Sequence, residues 1–368
     1  MIARLIVALS ALSLAFAQAT QAPYERKSAA CTTKSIRKSW AALTAKEKQD
    51  YINADLCLMS LPPKSGIKGA TSRWDELQYA HAAQVGYVHF VGAFLPFHRY
   101  FMTVHEHLLR AECDYTGPLP YWNETADVGH IAGSSLFSGE PNFGGNGTGS
   151  DRCIADGPFA NLTLHIKEDL TTGDYCITRF LNDFAFSSEA RANIESCLRE
   201  ADYSGAWRCI ENAPHNGGHG GVGGLMTNLY LSPGDPVFYL HHGFLDRIWW
   251  EWQSRNLTKR LTEIAGNNTQ SLTGGLFPPF PGGNGTGFPP FPGGNGTGFP
   301  PFPGGNGTGF PPGFLMPAPN KAIEDYLNDG GPVTTLNHTL WSAGIMENVT
   351  IADVMNPEQG FVCADYQL

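Results

Sequence analysis

The chain has 368 residues, 42% of them hydrophobic, enough to bury one large core or two smaller ones. Its 24 Lys and Arg are outnumbered by 34 Asp and Glu, for a formal charge of −10, and no basic cluster interrupts that balance. Such a surface repels phosphate backbones and argues against nucleic acid as a partner.

The chain opens with Arg4, the apolar run LIVALSALSLAFA and a small-x-small site at Ala15-Phe16-Ala17. This pattern predicts a secretory signal peptide over 1–17, a mature chain starting near Gln18 and an extracellular destination. The run is shorter than the ~20 apolar residues that span a bilayer, and no later segment is long or apolar enough, so no membrane span is expected. Eight cysteines without a CxxC pair suit an oxidising compartment and permit four disulfides among 105 pairings. Ten N-x-S/T sequons, from Asn123 to Asn348, fit a secreted glycoprotein.

Most of the chain reads as helix with long loops. TSRWDELQYAHAAQ begins with Ser72 and Asp75 in a capping-box-like arrangement and stops before Gly86. PFHRYFMTVHEHLLRAE places Pro96 in the first turn and runs to about Glu112. Residues 113–206 are loop-rich. A third helix is expected over Trp207–His219, ending in GGHGGVGG, and a fourth starts near Asp235-Pro236 and carries through LDRIWWEWQSR. Three copies of FPPFPGGNGTG fill 277–309, with a partial FPP to residue 312. Proline and glycine leave no apolar period there, so the repeat predicts a flexible, partly polyproline-II insertion; cell-wall association or partner binding is the functional alternative. Residues 333–368 predict a few short strands.

The histidines fall into two blocks, with His81, His89, His98, His105 and His107 in the first and His215, His219, His241 and His242 in the second. His215 and His219 are four apart and share one helix face, so both reach one metal. His98 and His105 also share a face, but seven residues rise ~10.5 Å, too far for one ion. His105 is therefore expected in the core or behind the ligands. His81 near a helix end and His89 before the Phe94-Leu95-Pro96 break are free to join His98. His241 and His242 are adjacent, so on a helix they point about 100° apart and at most one faces a given centre. Three neutral imidazoles per metal, without thiolate or carboxylate, suit Cu or Zn better than Mg or Ca.

HFVGAFLPFHRYFMTVHE (His89 to Glu106) resembles the copper-A signature of the tyrosinase family, which includes catechol oxidases and molluscan haemocyanins. DPVFYLHHGFLD (235–246) resembles its copper-B signature, HNGGH the paired histidines before it, and the terminal CADY the tyrosine-containing end of its catalytic domain. The resemblance covers about residues 70–255 as the core of one catalytic domain over 18–368. It implies a mainly α fold, a four-helix bundle holding a dinuclear copper site, with long loops and a few short β-strands. It makes His81, His89 and His98 the copper-A ligands, and His215, His219 and His242 the copper-B ligands. His241 then packs or hydrogen-bonds beside the site. Asp246, one turn beyond His242, is expected to accept its free ring N–H, and Arg99 and Asp235 occupy the family's positions for an ion pair between the two halves.

The implied activity is oxidation of o-diphenols to o-quinones with O2 on two copper ions, extending to monophenols or o-aminophenols. Glu211 and Asn216 match the pair that the family is proposed to use as water holder and base for a monophenol. Leu229 sits at a substrate-gate position over copper A, and Gly220 after His219 opens the pocket rim. Tyr87 stands where many fungal members carry a cysteine linked to the second copper-A histidine, so that thioether is not expected. The chain resembles the short secreted form without a plugging C-terminal domain. Alternative readings are a tailoring enzyme of specialised metabolism on this scaffold, with zinc and no oxidation, a haemocyanin-like O2 binder, and a structural cell-wall glycoprotein.

Overall fold

The computed structural model describes residues 31–268, 270 and 332–367. The expected signal peptide and the FPPFPGGNGTG repeats lie outside these described residues.

The helices follow from caps and apolar spacing. α1 (Ala45–Ser60) starts with a capping box between Thr44 and Glu47. α2 (Arg73–Ala82) starts where Ser72 Oγ accepts the Asp75 N–H at 3.0 Å. The expected box is only half made there, because the Asp75 carboxylate accepts from Thr71 instead. A single turn, α3 (Val85–Val88), leads to α4 (Phe94–Glu112), whose first turn contains Pro96 and which is buried over most of its length. Short turns α5 (Asp183–Phe186) and α6 (Arg191–Leu198) precede α7 (Tyr203–Ile210), α8 (Asn216–Val222) and α9 (Val237–Ser254). α4 packs on α9, α9 on α7, and α1 against α2 and α4, which builds the expected helical core.

The helix expected over Trp207–His219 is present, but it widens in the middle. Between α7 and α8, residues Glu211–His215 form a π turn containing Pro214. Proline has no N–H to give to the carbonyl four residues back, and a wider turn absorbs the missing bond. The predicted C-terminal strands are present: Thr339–Leu340 pairs with Val349–Thr350, and Ala364–Tyr366 joins a parallel three-stranded sheet. Ser35–Ser39 is the central strand of that sheet, with Leu119–Tyr121 on its other side.

Two expected ionic contacts are replaced by others. Asp246 does not reach His242: its carboxylate accepts from Arg37 Nη1 at 2.7 Å, Arg99 Nε at 2.5 Å and the Tyr366 hydroxyl. Arg99 therefore pairs with Asp246 rather than with Asp235. Asp235 instead takes a bidentate bond from Arg179, at 2.7 and 2.8 Å, and caps α9 through the Val237 N–H. The cause is tertiary. A buried guanidinium needs a carboxylate, and the sheet strands carrying Arg37 and Tyr366 bring two more groups to Asp246 than its helix could supply.

All eight cysteines pair, as Cys31–Cys363, Cys57–Cys113, Cys153–Cys176 and Cys197–Cys209. No thiol is left for a thioether, in line with Tyr87 at the expected position.

Candidate metal centre

Seven histidines converge on the bundle interior in two groups. His81 from α2, His89 from the segment after α3 and His98 from α4 form the first; His215, His219, His241 and His242 form the second. Ring centroids lie 5.0 Å apart for both His81–His89 and His89–His98, and 4.5 Å apart for His215–His219. The groups meet where His98 and His242 stack at 4.2 Å with an interplanar angle of 9°. Six of the seven are buried and His219 is half-buried. His105 stands apart, as its spacing predicts: its Nε2 meets Asp55 at 2.8 Å and its ring stacks on Tyr239.

Backbone carbonyls set the tautomers. Nδ1 of His81 donates to Tyr230 O, of His89 to Val85 O, of His98 to Phe94 O, of His215 to Glu211 O and of His219 to Met226 O, at 2.5–3.3 Å. In three of these cases the carbonyl is four residues earlier on the same turn, so the local fold aims the ring. With Nδ1 protonated, Nε2 carries the lone pair. The Nε2 atoms of His81, His98, His215 and His241 are buried without a hydrogen-bond partner. His242 has neither ring nitrogen hydrogen-bonded. Buried imidazoles left with free lone pairs are expensive unless something else satisfies them. A soft or borderline divalent metal fits that donor set.

Burial pushes these imidazoles down, His81 and His241 to about 3 and the other five well below the ordinary histidine range. Neutral rings are what a metal requires. The direction also predicts acid lability. Each depressed histidine contributes stability that is present above its unfolded value of ~6.5 and is lost as pH falls toward its folded value. Metal-free protein should therefore unfold with a slope approaching ~1.4 kcal/mol per pH unit per imidazole below pH ~6.5. Metal should move the transition to lower pH, because protons then compete with the ion. Acid titration by circular dichroism with and without metal checks both points.

The remaining expected site residues are placed as follows. Glu211 is buried at the π turn, its Oε1 accepting the Phe90 N–H and its Oε2 the Trp207 Nε1–H, both at 2.7 Å. Phe90 follows His89 and has a φ of +57°, so Glu211 ties the two histidine groups together through a left-handed residue. Burial pushes the Glu211 carboxyl up to about 8. Asn216 is exposed and donates to Asn212 O at 3.3 Å; no hydrogen bond between it and Glu211 is seen among the described residues. Leu229 is half-buried and precedes Tyr230, whose backbone carbonyl accepts the His81 Nδ1–H, which puts it on the first group's side. Gly220 packs on α5, where a Cβ would come within 3.1 Å of Ala185 Cβ.

Sequence reasoning missed the carboxylates behind His241. Its Nδ1 donates to Glu124 Oε1 at 2.7 Å, and Glu189 lies beside Glu124. All three side chains are fully buried. The only local signal was two acidic residues in loop-rich sequence, which says nothing about a helix folded a hundred residues away. A surface groove of about 970 Å³ runs along Ser35–Ser39 and Ala364–Tyr366, and none of the seven histidines lines it.

With this geometry, comparison with known proteins is specific. The common central domain of tyrosinase matches residues 71–255. The tyrosinase-like protein phomQ1 of Diaporthe leptostromiformis is 34% identical over 262 residues, 64% of this chain and 66% of that protein. The tyrosinase ustQ of Aspergillus flavus is 35% identical over 257 residues, 66% of this chain and 71% of that protein. The chain thus matches about two thirds of these relatives' length. In three dimensions it resembles a polyphenol oxidase from Thermothelomyces thermophila, with a TM-score of 0.67 and 23% identity over 91% of this chain and 89% of that one, a likeness of fold.

Proposed function

Because the chain belongs to the tyrosinase family and is an oxidase of that type, we propose that it is a secreted dicopper enzyme converting o-diphenols to o-quinones with O2. The observation carrying this reading is the pair of histidine groups meeting at His98 and His242, each with inward nitrogens left free of hydrogen bonds. His81, His89 and His98 would hold one copper, and His215, His219 and His242 the other. Bound copper would supply one-electron redox chemistry and coordination positions for O2 and a phenol oxygen.

The chain's own contribution is to orient and exclude. Backbone carbonyls fix the rings of His81, His89, His98, His215 and His219 before any metal arrives, so little reorganisation of those five is needed on binding. Phe94 and Phe238 pack on the rings, Phe94 4.7 Å from His215 and Phe238 4.2 Å from His242, and keep bulk water off that side. Leu229 borders the entrance in this reading, whereas Gly220 faces α5. Four disulfides support an oxidising destination, and no helix among the described residues is long and apolar enough to cross a membrane.

Purified protein should bind two copper ions per chain by elemental analysis and turn over catechol, with o-aminophenol and tyrosine assayed beside it. A redox-inert zinc protein would leave all three untouched, and that result would overturn the reading. Glu211 is the candidate base for a monophenol proton. Glu211→Gln should lower monophenol turnover by at least ~100-fold, with a much smaller loss on catechol. Equal losses on both would mean Glu211 serves only to hold Phe90 and Trp207.

A further inference from the structure

We infer that Gly217 and Gly218 form a socket for Glu189, Glu124 and His241, and that this buried set is a positioning device for the second metal. The inference rests on the dicopper reading above. It starts from HNGGH, whose two central glycines the ligand assignment leaves unexplained. Both lie within α8, and neither has a positive φ. Their conformational freedom is therefore unused, although each costs a helix interior ~1 kcal/mol relative to alanine. Space accounts for them. A Cβ on Gly217 would come 2.5 Å from Glu189 Oε1 and 2.6 Å from Ser188 Cβ. A Cβ on Gly218 would overlap the His241 ring at Nδ1 and Cε1, and would lie 3.0 Å from Glu124 Oε2.

Three occupants of that space, Glu189, Glu124 and His241, are polar and fully buried. If filling were the only need, apolar side chains would do it without the desolvation cost of two carboxyls and an imidazole. What the polar set adds is direction. Glu124 accepts the Nδ1–H of His241 at 2.7 Å and fixes its ring. That ring lies 4.7 Å from the His219 ring and is stacked 5.8 Å from the His215 ring. His241 thus braces the turn bearing both ligands, while Glu189, packed against Gly217, lies beside Glu124. Outer partners of this kind change metal affinity typically 10–100-fold when they are lost.

The test is metal binding by chelator competition, with Zn(II) as the probe, on metal-free full-length protein and on Glu124→Gln, Glu189→Gln and Gly218→Ala. His81→Ala and His242→Ala assign the two binding phases to the two groups. The expected result is a 10–100-fold weaker second phase in Glu124→Gln and Gly218→Ala, with the first phase unchanged. Glu189→Gln, which preserves shape, carries the test if Gly218→Ala does not fold, and near-ultraviolet circular dichroism reports folding in each case. Wild-type affinity in both phases for Glu124→Gln and Glu189→Gln would overturn the inference while leaving the dicopper reading standing, even if the variants melted at lower temperature. Fewer than two metals on the wild type would instead bring down that reading and this inference with it.

Discussion

His242→Ala should remove the second metal and cut catechol turnover by more than ~100-fold, beyond the upper end of what an outer partner costs a metal site. His241→Ala should weaken the second metal and lower turnover without abolishing it. The two histidines are adjacent on α9 and both fully buried, so exposure does not separate them. Their surroundings do. His241 keeps Nε2 free, as the ligand candidates do, but spends Nδ1 on the Glu124 carboxylate rather than on a backbone carbonyl, and lies on Gly218. His242 has both ring nitrogens free of hydrogen bonds and stacks on His98 of the first group. Copper stoichiometry and turnover on the two variants decide the matter. If His241→Ala loses the metal and His242→Ala keeps it, the assignment is inverted.

The second large effect is on stability. Asp246→Ala should destabilise the protein by about 3–5 kcal/mol, the range for breaking a buried ion pair from one side. Arg37, Arg99, Asp246 and Tyr366 are all buried, and the carboxylate is the acceptor shared by the other three. Arg99 keeps Gln253 and the carbonyls of Val354 and Met355, and lies 3.8 Å over the Trp249 ring. None of those partners carries a negative charge, so without Asp246 the Arg99 guanidinium remains buried and uncompensated, while Arg37 keeps only the more distant Glu106 carboxylate at 3.7 Å. Denaturant unfolding with the disulfides intact measures the loss. A change below ~1 kcal/mol, the range of an exposed pair, would mean that water reaches the arginines.

The helices and most of the site were legible because their signals are local. Ser72 caps α2, Pro96 sits in the first turn of α4, and the spacing of His215 and His219 puts both on one turn. The seven-residue step from His98 to His105 excluded the latter from the metal, and it lies instead against Asp55 and Tyr239. The ionic partners were not legible. Asp246 stands one turn from His242, and near neighbours in sequence are natural candidates, yet its partners come from residues 37, 99 and 366. Glu211 could be picked out by its distance from His215, but not its bonds to Phe90 and Trp207.

By itself the sequence determined the family, the helical class and the two histidine blocks, since periodicity, caps and i,i+4 spacing are properties of neighbouring residues. It also raised the expectation that His241 and His242 differ in role, because adjacent helical residues diverge by about 100°, although both rings join the second histidine group. Only the tertiary structure decided which carboxylate serves which partner and why HNGGH needs its glycines. A buried charge or imidazole is satisfied by whatever group the packed helices and strands bring within hydrogen-bonding distance. For Asp246 and His241 those groups come from strands, a helix and a loop more than a hundred residues away along the chain.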